Sequence, residues 1–201
     1  MLRLGDKAAP AGLCRLQGLI NTWAVGQADQ LATRQAAQAW LTAQHLWTTA
    51  KPPTNAELLT LTRFRFHLRR HLLQPHEAKH ADRLNQLLAG SRLQPGFAPG
   101  SYTLTATGQP IDRVLGTFAA ILAEHHHNGT LARLKCCPEC GWCYFDTTKN
   151  RSGKWCSMQS CGSRLKTKRY RERLAKQSDG KQSDSKQSDS KLSVNKKSAS
   201  K

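Results

Sequence analysis

Six of the seven cysteines of this chain fall between residues 136 and 161, at spacings suited to holding a metal ion. Four of these six lie in the octapeptide CCPECGWC. Thiolate sulfurs are ligands that zinc prefers in closed, four-coordinate sites. The pattern C-x2-C-x15-C-x4-C has a central spacing that fits such a site. It is formed by Cys137, Cys140, Cys156 and Cys161.

The residues around the first cysteine pair favour Cys137 and Cys140 over the other pairings within the octapeptide. Pro138 stiffens the turn after the first thiolate. Gly141 relieves steric limits just after the second, which lets backbone N–H groups point at sulfur. A spacing of four places Cys161 on the first turn of a following helix, where the helix dipole favours a thiolate.

A zinc ion held by four thiolates has no open position for water or substrate, so its role is structural. The sequence contains no G-x-S-x-G, Walker or Rossmann pattern, and no pair of acidic residues stands out. We therefore expect no catalytic residues and no enzymatic activity, and one structural Zn²⁺ as the cofactor.

Two cysteines of the cluster are left outside this assignment. Cys143 falls in the apolar segment Trp142-Cys143-Tyr144-Phe145, which is typical of a strand, and we expect it to pack in the core as a small apolar residue. Cys136 has no evident partner. A redox or metal-responsive switch in which Cys136 or Cys143 reacts is an alternative function.

The charge of the chain indicates a polyanionic partner. The formal net charge is +18, and residues 131–176 contain twelve basic and three acidic side chains. Such a surplus favours nucleic acid first and an anionic membrane surface second, with solubility as the ordinary alternative. No apolar run is long enough to span a membrane, and residues 1–26 form no persuasive signal peptide. We expect a cytoplasmic protein with reduced thiols.

The basic side chains are concentrated around and after the last two cysteines. From Arg164 onward they spread almost around a predicted helix, so they can contact phosphates and, in a groove, base edges. A solvated charged helix and a protein-binding face are the alternatives. The candidate nucleic-acid-binding residues are Lys149, Arg151, Lys154, Arg164, Lys166, Lys168, Arg169, Arg171 and Arg173.

Residues 1–130 read as a helical domain with one hairpin. Thr33 is a candidate cap for one helix, and Thr54 with Glu57 has the form of a capping box. Alternating apolar and threonine residues over 102–107 predict a short strand or hairpin edge. The longest apolar stripe at helical spacing consists of Leu58, Leu61, Phe64, Leu68 and Leu72, with Arg63, Arg69 and Arg70 on other faces.

The C-terminal segment differs in composition from the rest. KQSDG, KQSDS and KQSDS repeat with a period of five over residues 176–190, and no aromatic residue follows. Such a segment buries too little surface to offset the chain entropy lost on folding. We predict a disordered, low-complexity basic tail over 177–201.

The segment CPECGWCYFDTTKNRSGKWCSMQSCGSRLKTKRYRER resembles the CGNR zinc finger, which has a CxxCG knuckle, an F-x-D-x-S stretch, a WCSM-like turn and a C-G-N-R-x-K helix start. The upstream segments LINTW, LATRQAAQAWL, AELLTLTRFRFHLRR and LNQLL follow the order of the helical ABATE domain. The resemblance covers about residues 12–173. Gly18 stands where the family usually has an acidic residue. Thr148 stands where it usually has Ser, and Ser163 where it usually has Asn.

This resemblance implies a stress-induced transcription regulator in which a zinc finger follows a helical domain. We expect a mainly α fold: a helical N-terminal domain with a short β-hairpin over 1–130, then a small four-cysteine zinc module over 131–176 that ends in a basic helix. The expected function is zinc-dependent DNA binding and transcription regulation. An RNA-binding or ribosome-associated zinc protein is the alternative, and a homodimer through the N-terminal domain and a small-molecule effector are further expectations.

Overall fold

The computed structural model describes residues 7–10 and 12–174, so the predicted tail over 177–201 lies outside the described residues. The chain divides into two compact units, Met1–Cys156 and Ser157–Lys201. The first unit contains, in chain order, α1 (Leu13–Asn21), α2 (Arg34–Ala43), α3 (Asn55–Leu73), α4 (Ala78–Leu88), β1 (Arg92–Ala98), β2 (Ser101–Thr107), α5 (Pro110–His127), β3 (Leu134–Cys136) and β4 (Cys143–Phe145).

Two helices begin at the caps that the sequence predicts. The Thr33 hydroxyl accepts a hydrogen bond from the Ala36 N–H at 3.1 Å and starts α2. At α3, Thr54 Oγ1 accepts from the Glu57 N–H, and the Glu57 carboxylate accepts from the Thr54 N–H at 2.7 Å. This reciprocal pair satisfies two N–H groups that a helix start leaves without partners, which confirms the capping box.

The apolar stripe of α3 faces the core of the first unit. Leu61, Phe64 and Leu68 are fully buried, and the Phe64 ring stacks on Phe118 of α5 with centroids 5.8 Å apart. A second side of α3 is buried as well, because Arg69 is only 6% exposed. Helical periodicity placed Arg69 away from the apolar stripe, but its guanidinium has polar partners inside the protein, described below.

Two antiparallel hairpins are present in the described part of the chain, β1–β2 and β3–β4. The strand predicted over 102–107 is confirmed as β2. In the β3–β4 hairpin Leu134 pairs with Phe145, and Cys136 pairs with Cys143. Each strand is three residues long, so the hairpin depends on packing against helices for its stability.

The core of the first unit includes residues from both the N-terminal helices and the β3–β4 hairpin. Leu134, Cys136 and Cys143 belong to the same buried cluster as Leu16 of α1 and Phe118 of α5. The expected place of Cys143 in the core is thereby confirmed. The domain boundary expected at residue 130 stays a prediction.

The second unit begins with a turn and continues as a helix. Met158–Gly162 forms one π-helical turn, in which the Ser157 carbonyl accepts a hydrogen bond from the Gly162 N–H at 3.0 Å. Residues 163–174, here called α6, are helical up to the end of the described residues. The predicted fold class, a mainly α chain with a short hairpin and a four-cysteine module that ends in a helix, is confirmed.

Candidate metal centre

The sulfur atoms of four cysteines converge at one point. The Sγ atoms of Cys137, Cys140, Cys156 and Cys161 all lie within 4.8 Å of one another. The Cys140 and Cys156 sulfurs are 3.6 Å apart. A tetrahedral zinc ion with Zn–S bonds of about 2.3 Å separates its sulfur ligands by about 3.8 Å. The distances and the all-thiol donor set therefore fit one zinc ion.

A tight turn brings the first two of these cysteines together. The Cys137 N–H donates to the Trp142 carbonyl at 2.8 Å, and the Gly141 N–H donates back to the Cys137 carbonyl at 2.8 Å. Gly141 has a φ of 72°, in the left-handed region where residues with a Cβ are strained. The glycine of the C-P-x-C-G segment is therefore required by the backbone of the turn.

Hydrogen bonds between neighbouring thiols shift their acidities in opposite directions. The thiols of Cys140 and Cys156 donate to Cys137 and lower the pKa of the Cys137 thiol. The bond to Cys137 raises the pKa of Cys140 to about 11, and bonds to Cys137 and then Cys140 raise the pKa of Cys156. Because zinc binds thiolates, binding of the ion to this cluster releases protons.

The N-terminal helices hold the hairpin that contains the metal knuckle. The Asn21 amide at the end of α1 donates to the Cys143 carbonyl at 2.8 Å and accepts from the Cys143 N–H at 2.7 Å. Just beyond α1, the Val25 N–H donates to the Cys140 carbonyl at 3.1 Å. Asn21 therefore takes the place of a neighbouring strand for Cys143. No local sequence pattern predicts this contact, although Asn21 lies in the LINTW segment.

Arg69 is a buried link between α3 and the end of α1. Its guanidinium donates to the carbonyls of Ile20 and Trp23, and it lies over the Trp23 ring at 4.9 Å. Burial lowers the pKa of Arg69, while Cys136 and Cys143 lie close enough to oppose that shift. Because Ile20 is in the last turn of α1, the cation also interacts favourably with the negative end of that helix dipole.

A buried aspartate fixes the loop between the two cysteine pairs. Asp146 is 1% exposed, and its carboxylate accepts hydrogen bonds from Lys135 Nζ at 2.7 Å, the Gly153 N–H at 2.9 Å and the Thr148 N–H at 3.0 Å. Burial raises the pKa of Asp146, but the hydrogen bonds from Lys135 and Thr148 outweigh it, so the pKa is lowered overall. The loop over 146–153 is therefore organised around one carboxylate.

All nine residues that the sequence predicts to bind nucleic acid are exposed. Three of them, Lys149, Arg151 and Lys154, lie on or just after the loop held by Asp146, in the first unit. The other six lie on α6 in the second unit: Arg164, Lys166, Lys168, Arg169, Arg171 and Arg173.

A cavity of about 900 Å³ lies in the first unit between α3, α4, α5 and the β3–β4 hairpin. Its walls are mostly apolar and include Leu72, Leu84, Leu122 and Leu134. Cys136 also lines this cavity, and so does Tyr144.

Comparison with known families agrees with this geometry. The model of the CGNR zinc finger matches residues 133–174, and the model of the ABATE domain, described as "Putative stress-induced transcription regulator", matches residues 17–127. The chain belongs to the ABATE family, with a CGNR zinc finger after the ABATE domain. A comparison with curated proteins finds no match.

The expected family and cofactor are therefore confirmed. Four cysteines are positioned to bind one metal ion, consistent with a structural zinc in a CGNR zinc finger. Within the described residues, each helix is too short or too polar to cross a membrane.

Proposed function

We propose that this protein is a zinc-dependent DNA-binding regulator of transcription and not an enzyme. The observation that carries the proposal is the exposure of α6. Between residues 163 and 174 no side chain is buried, and only Leu165 is partly buried. Six of these twelve residues are basic and one, Glu172, is acidic.

A helix without a buried face gains little from packing within its own unit. Surface helices normally bury an apolar stripe, but Tyr170 is 57% exposed and Leu174 is 47% exposed on α6. A helix of this kind is stabilised when its cationic side chains neutralise phosphates and release counterions. Duplex DNA offers that polyanion together with a groove that accommodates a helix.

Zinc has a structural role in this proposal. Cys161 lies inside the π-helical turn that leads directly into α6, so an ion held by Cys161 and the other three thiolates fixes where α6 begins. Four thiolate ligands leave no position at which zinc could activate water. The metal would thus serve DNA binding by positioning a helix.

The loop over 146–153 is proposed to add phosphate contacts. Lys149 and Arg151 are exposed, while the loop backbone is held by the Asp146 carboxylate. A loop that is already ordered loses less conformational entropy on binding than a flexible one.

Fluorescence anisotropy with the zinc-loaded full chain tests the proposal. The probes are labelled duplex DNA, single-stranded DNA and single-stranded RNA, each titrated over a range of salt. We expect duplex DNA to bind most tightly, with affinity falling as salt rises. Tighter binding to single-stranded RNA would support the RNA-binding alternative, and no binding at low salt to any probe would exclude both.

A matched pair of double variants distinguishes a specific role of α6 in binding from the effect of the overall positive charge of the protein. Arg164→Gln with Lys168→Gln removes two charges from α6, and Arg63→Gln with Lys79→Gln removes two exposed charges from the first unit. We expect the α6 pair to make the plot of log affinity against log salt concentration less steep by about 2, because each phosphate contact contributes about 1 to that slope. Equal losses from both pairs would contradict a specific role for α6. A cytoplasmic location, an N-terminal homodimer and a small-molecule effector stay predictions.

A further inference from the structure

Cys136 and Cys143 form a second pair of thiols that zinc does not need. The two residues lie directly opposite each other across the β3–β4 hairpin. Both are buried, at 6% and 0% exposure. The four cysteines positioned for zinc include neither of them.

The backbone hydrogen bonds show which kind of cross-strand pair this is. The Cys137 N–H donates to the Trp142 carbonyl, one position along, and the Asp146 N–H donates to the Arg133 carbonyl at the far end of the hairpin. Because bonded and non-bonded pairs alternate along antiparallel strands, Cys136 and Cys143 occupy a non-hydrogen-bonded position.

Asn21 agrees with this assignment. Its amide occupies both the N–H and the carbonyl of Cys143, so these backbone groups point away from β3. At non-hydrogen-bonded positions Cα atoms are about 4.5 Å apart, which lies within the range that a disulfide spans. A bond between the two sulfurs therefore needs no change of strand register.

The surroundings of the pair provide access to one of the two cysteines. Cys136 lines the cavity of about 900 Å³ beside the hairpin, so a small molecule in this cavity can contact Cys136.

We propose that Cys136 and Cys143 are a dithiol site that a peroxide oxidises to one cross-strand disulfide while zinc stays bound. The Cys136 sulfur attacks one oxygen of hydrogen peroxide, the O–O bond breaks, and hydroxide leaves as water with the thiol proton. This gives a sulfenic acid on Cys136. The Cys143 sulfur then attacks the Cys136 sulfur and displaces the second water. Two thiols lose two electrons and two protons, and one peroxide becomes two waters.

The experiment uses the zinc-loaded full chain with Cys14→Ser, which leaves six of the seven cysteines. The protein is treated with hydrogen peroxide, quenched with catalase, denatured and alkylated, and the alkylated residues are identified by tandem mass spectrometry. A chromogenic chelator measures zinc released before denaturation. We expect Cys136 and Cys143 to lose alkylation together, the other four to keep it, and zinc to remain bound. Dithiothreitol should restore both thiols.

Two further variants keep the test decisive. In Cys136→Ser no disulfide can form at this site, so we expect no linked product with zinc retained. Cys143→Ser is expected to give the same result, and Cys136→Ser alone suffices if Cys143→Ser does not fold.

The proposal is overturned if zinc leaves before any disulfide forms, if Cys137 or Cys140 is the first residue oxidised, or if all six thiols stay alkylated. The DNA affinity of untreated protein is measured separately, so its loss would not affect this result.

Discussion

Asn21 and Cys143 are 122 positions apart in the chain, and the side chain of Asn21 satisfies both backbone groups of Cys143. Through this pair of hydrogen bonds the end of α1 gives the backbone of Cys143 the partners that a third strand of the hairpin would give it. The knuckle of Cys137 and Cys140 connects the two strands of that hairpin. The order of the metal knuckle and the packing of the N-terminal helices are therefore linked.

Replacement of Asn21 tests that link. Asn21→Ala leaves the buried Cys143 N–H without its partner, while the Cys143 carbonyl keeps the bond from the Gln17 amide at 3.3 Å. An unsatisfied buried donor costs about 1–3 kcal/mol, so we expect the free energy of unfolding in urea to fall by about that amount. Asn85→Ala, an exposed position on α4, is the control and should change stability by less than about 0.5 kcal/mol. Equal stability of the two variants would show that the Asn21 bonds are not needed.

Local signals in the sequence predicted part of this architecture. The caps at Thr33 and Thr54 depend on residues three positions apart, and the knuckle depends on the short segment from Cys137 to Gly141. Their geometry follows from neighbouring residues, so a pattern along the chain is enough to predict them.

Contacts between distant segments had no such signal. Arg69 looks like a surface residue of an amphipathic helix, because its partners are backbone carbonyls that any sequence could supply. The pairing of Cys136 with Cys143 depends on the register of the hairpin. A shift of one residue would place each cysteine opposite a different residue. Sequence spacing therefore predicted the four cysteines whose sulfurs converge but left Cys136 without a partner.

The four-cysteine centre predicts that cysteine substitutions inside and outside it differ sharply in their effect on zinc binding. Cys156→Ser removes one of four sulfurs in the cluster and should abolish binding of one zinc per chain. Cys14→Ser changes an exposed position outside the cluster and should keep the metal. Zinc content after gel filtration, measured by elemental analysis, checks both. Zinc retained by Cys156→Ser would mean that the cluster is not the binding site.

A glycine substitution tests the loop that Asp146 organises. A Cβ added at Gly153 would lie 2.7 Å from Asp146 Oδ1, a carboxylate fixed by several hydrogen bonds. We expect Gly153→Ala to lower the free energy of unfolding by about 1–3 kcal/mol, as overpacking does. Gly18→Ala in α1 is the matched control.

The control substitution is expected to change the free energy of unfolding in the opposite direction. The added methyl group at Gly18 would lie 3.6 Å from the Trp40 ring, an ordinary contact, and alanine favours a helix over glycine. We expect Gly18→Ala to raise the free energy of unfolding by up to about 1 kcal/mol. Chemical denaturation of both variants gives the comparison, and destabilisation by Gly18→Ala alone would contradict it.

Asp146 also predicts how stability depends on pH. Its pKa is lowered in the folded protein, because the bonds from Lys135 and Thr148 outweigh the effect of burial. A carboxyl group whose folded pKa is depressed contributes stability above its unfolded pKa of about 3.9 and loses it as pH falls below that value. We expect the free energy of unfolding to decrease between about pH 5 and pH 2 by more in the wild type than in Asp146→Asn. Parallel pH profiles would contradict a stabilising role of the ionised carboxylate.

Arg69 gives the last prediction, which concerns the end of α1. Arg69→Gln removes a cation that donates to the carbonyls of Ile20 and Trp23 and that covers the Trp23 ring. The buried Ile20 carbonyl and the part-buried Trp23 carbonyl lose a charged donor, so we expect a loss of about 1–3 kcal/mol in the free energy of unfolding. Arg63→Gln, six positions earlier on the exposed side of α3, should cost less than about 0.5 kcal/mol. Equal stability of Arg69→Gln and Arg63→Gln would contradict this role of Arg69.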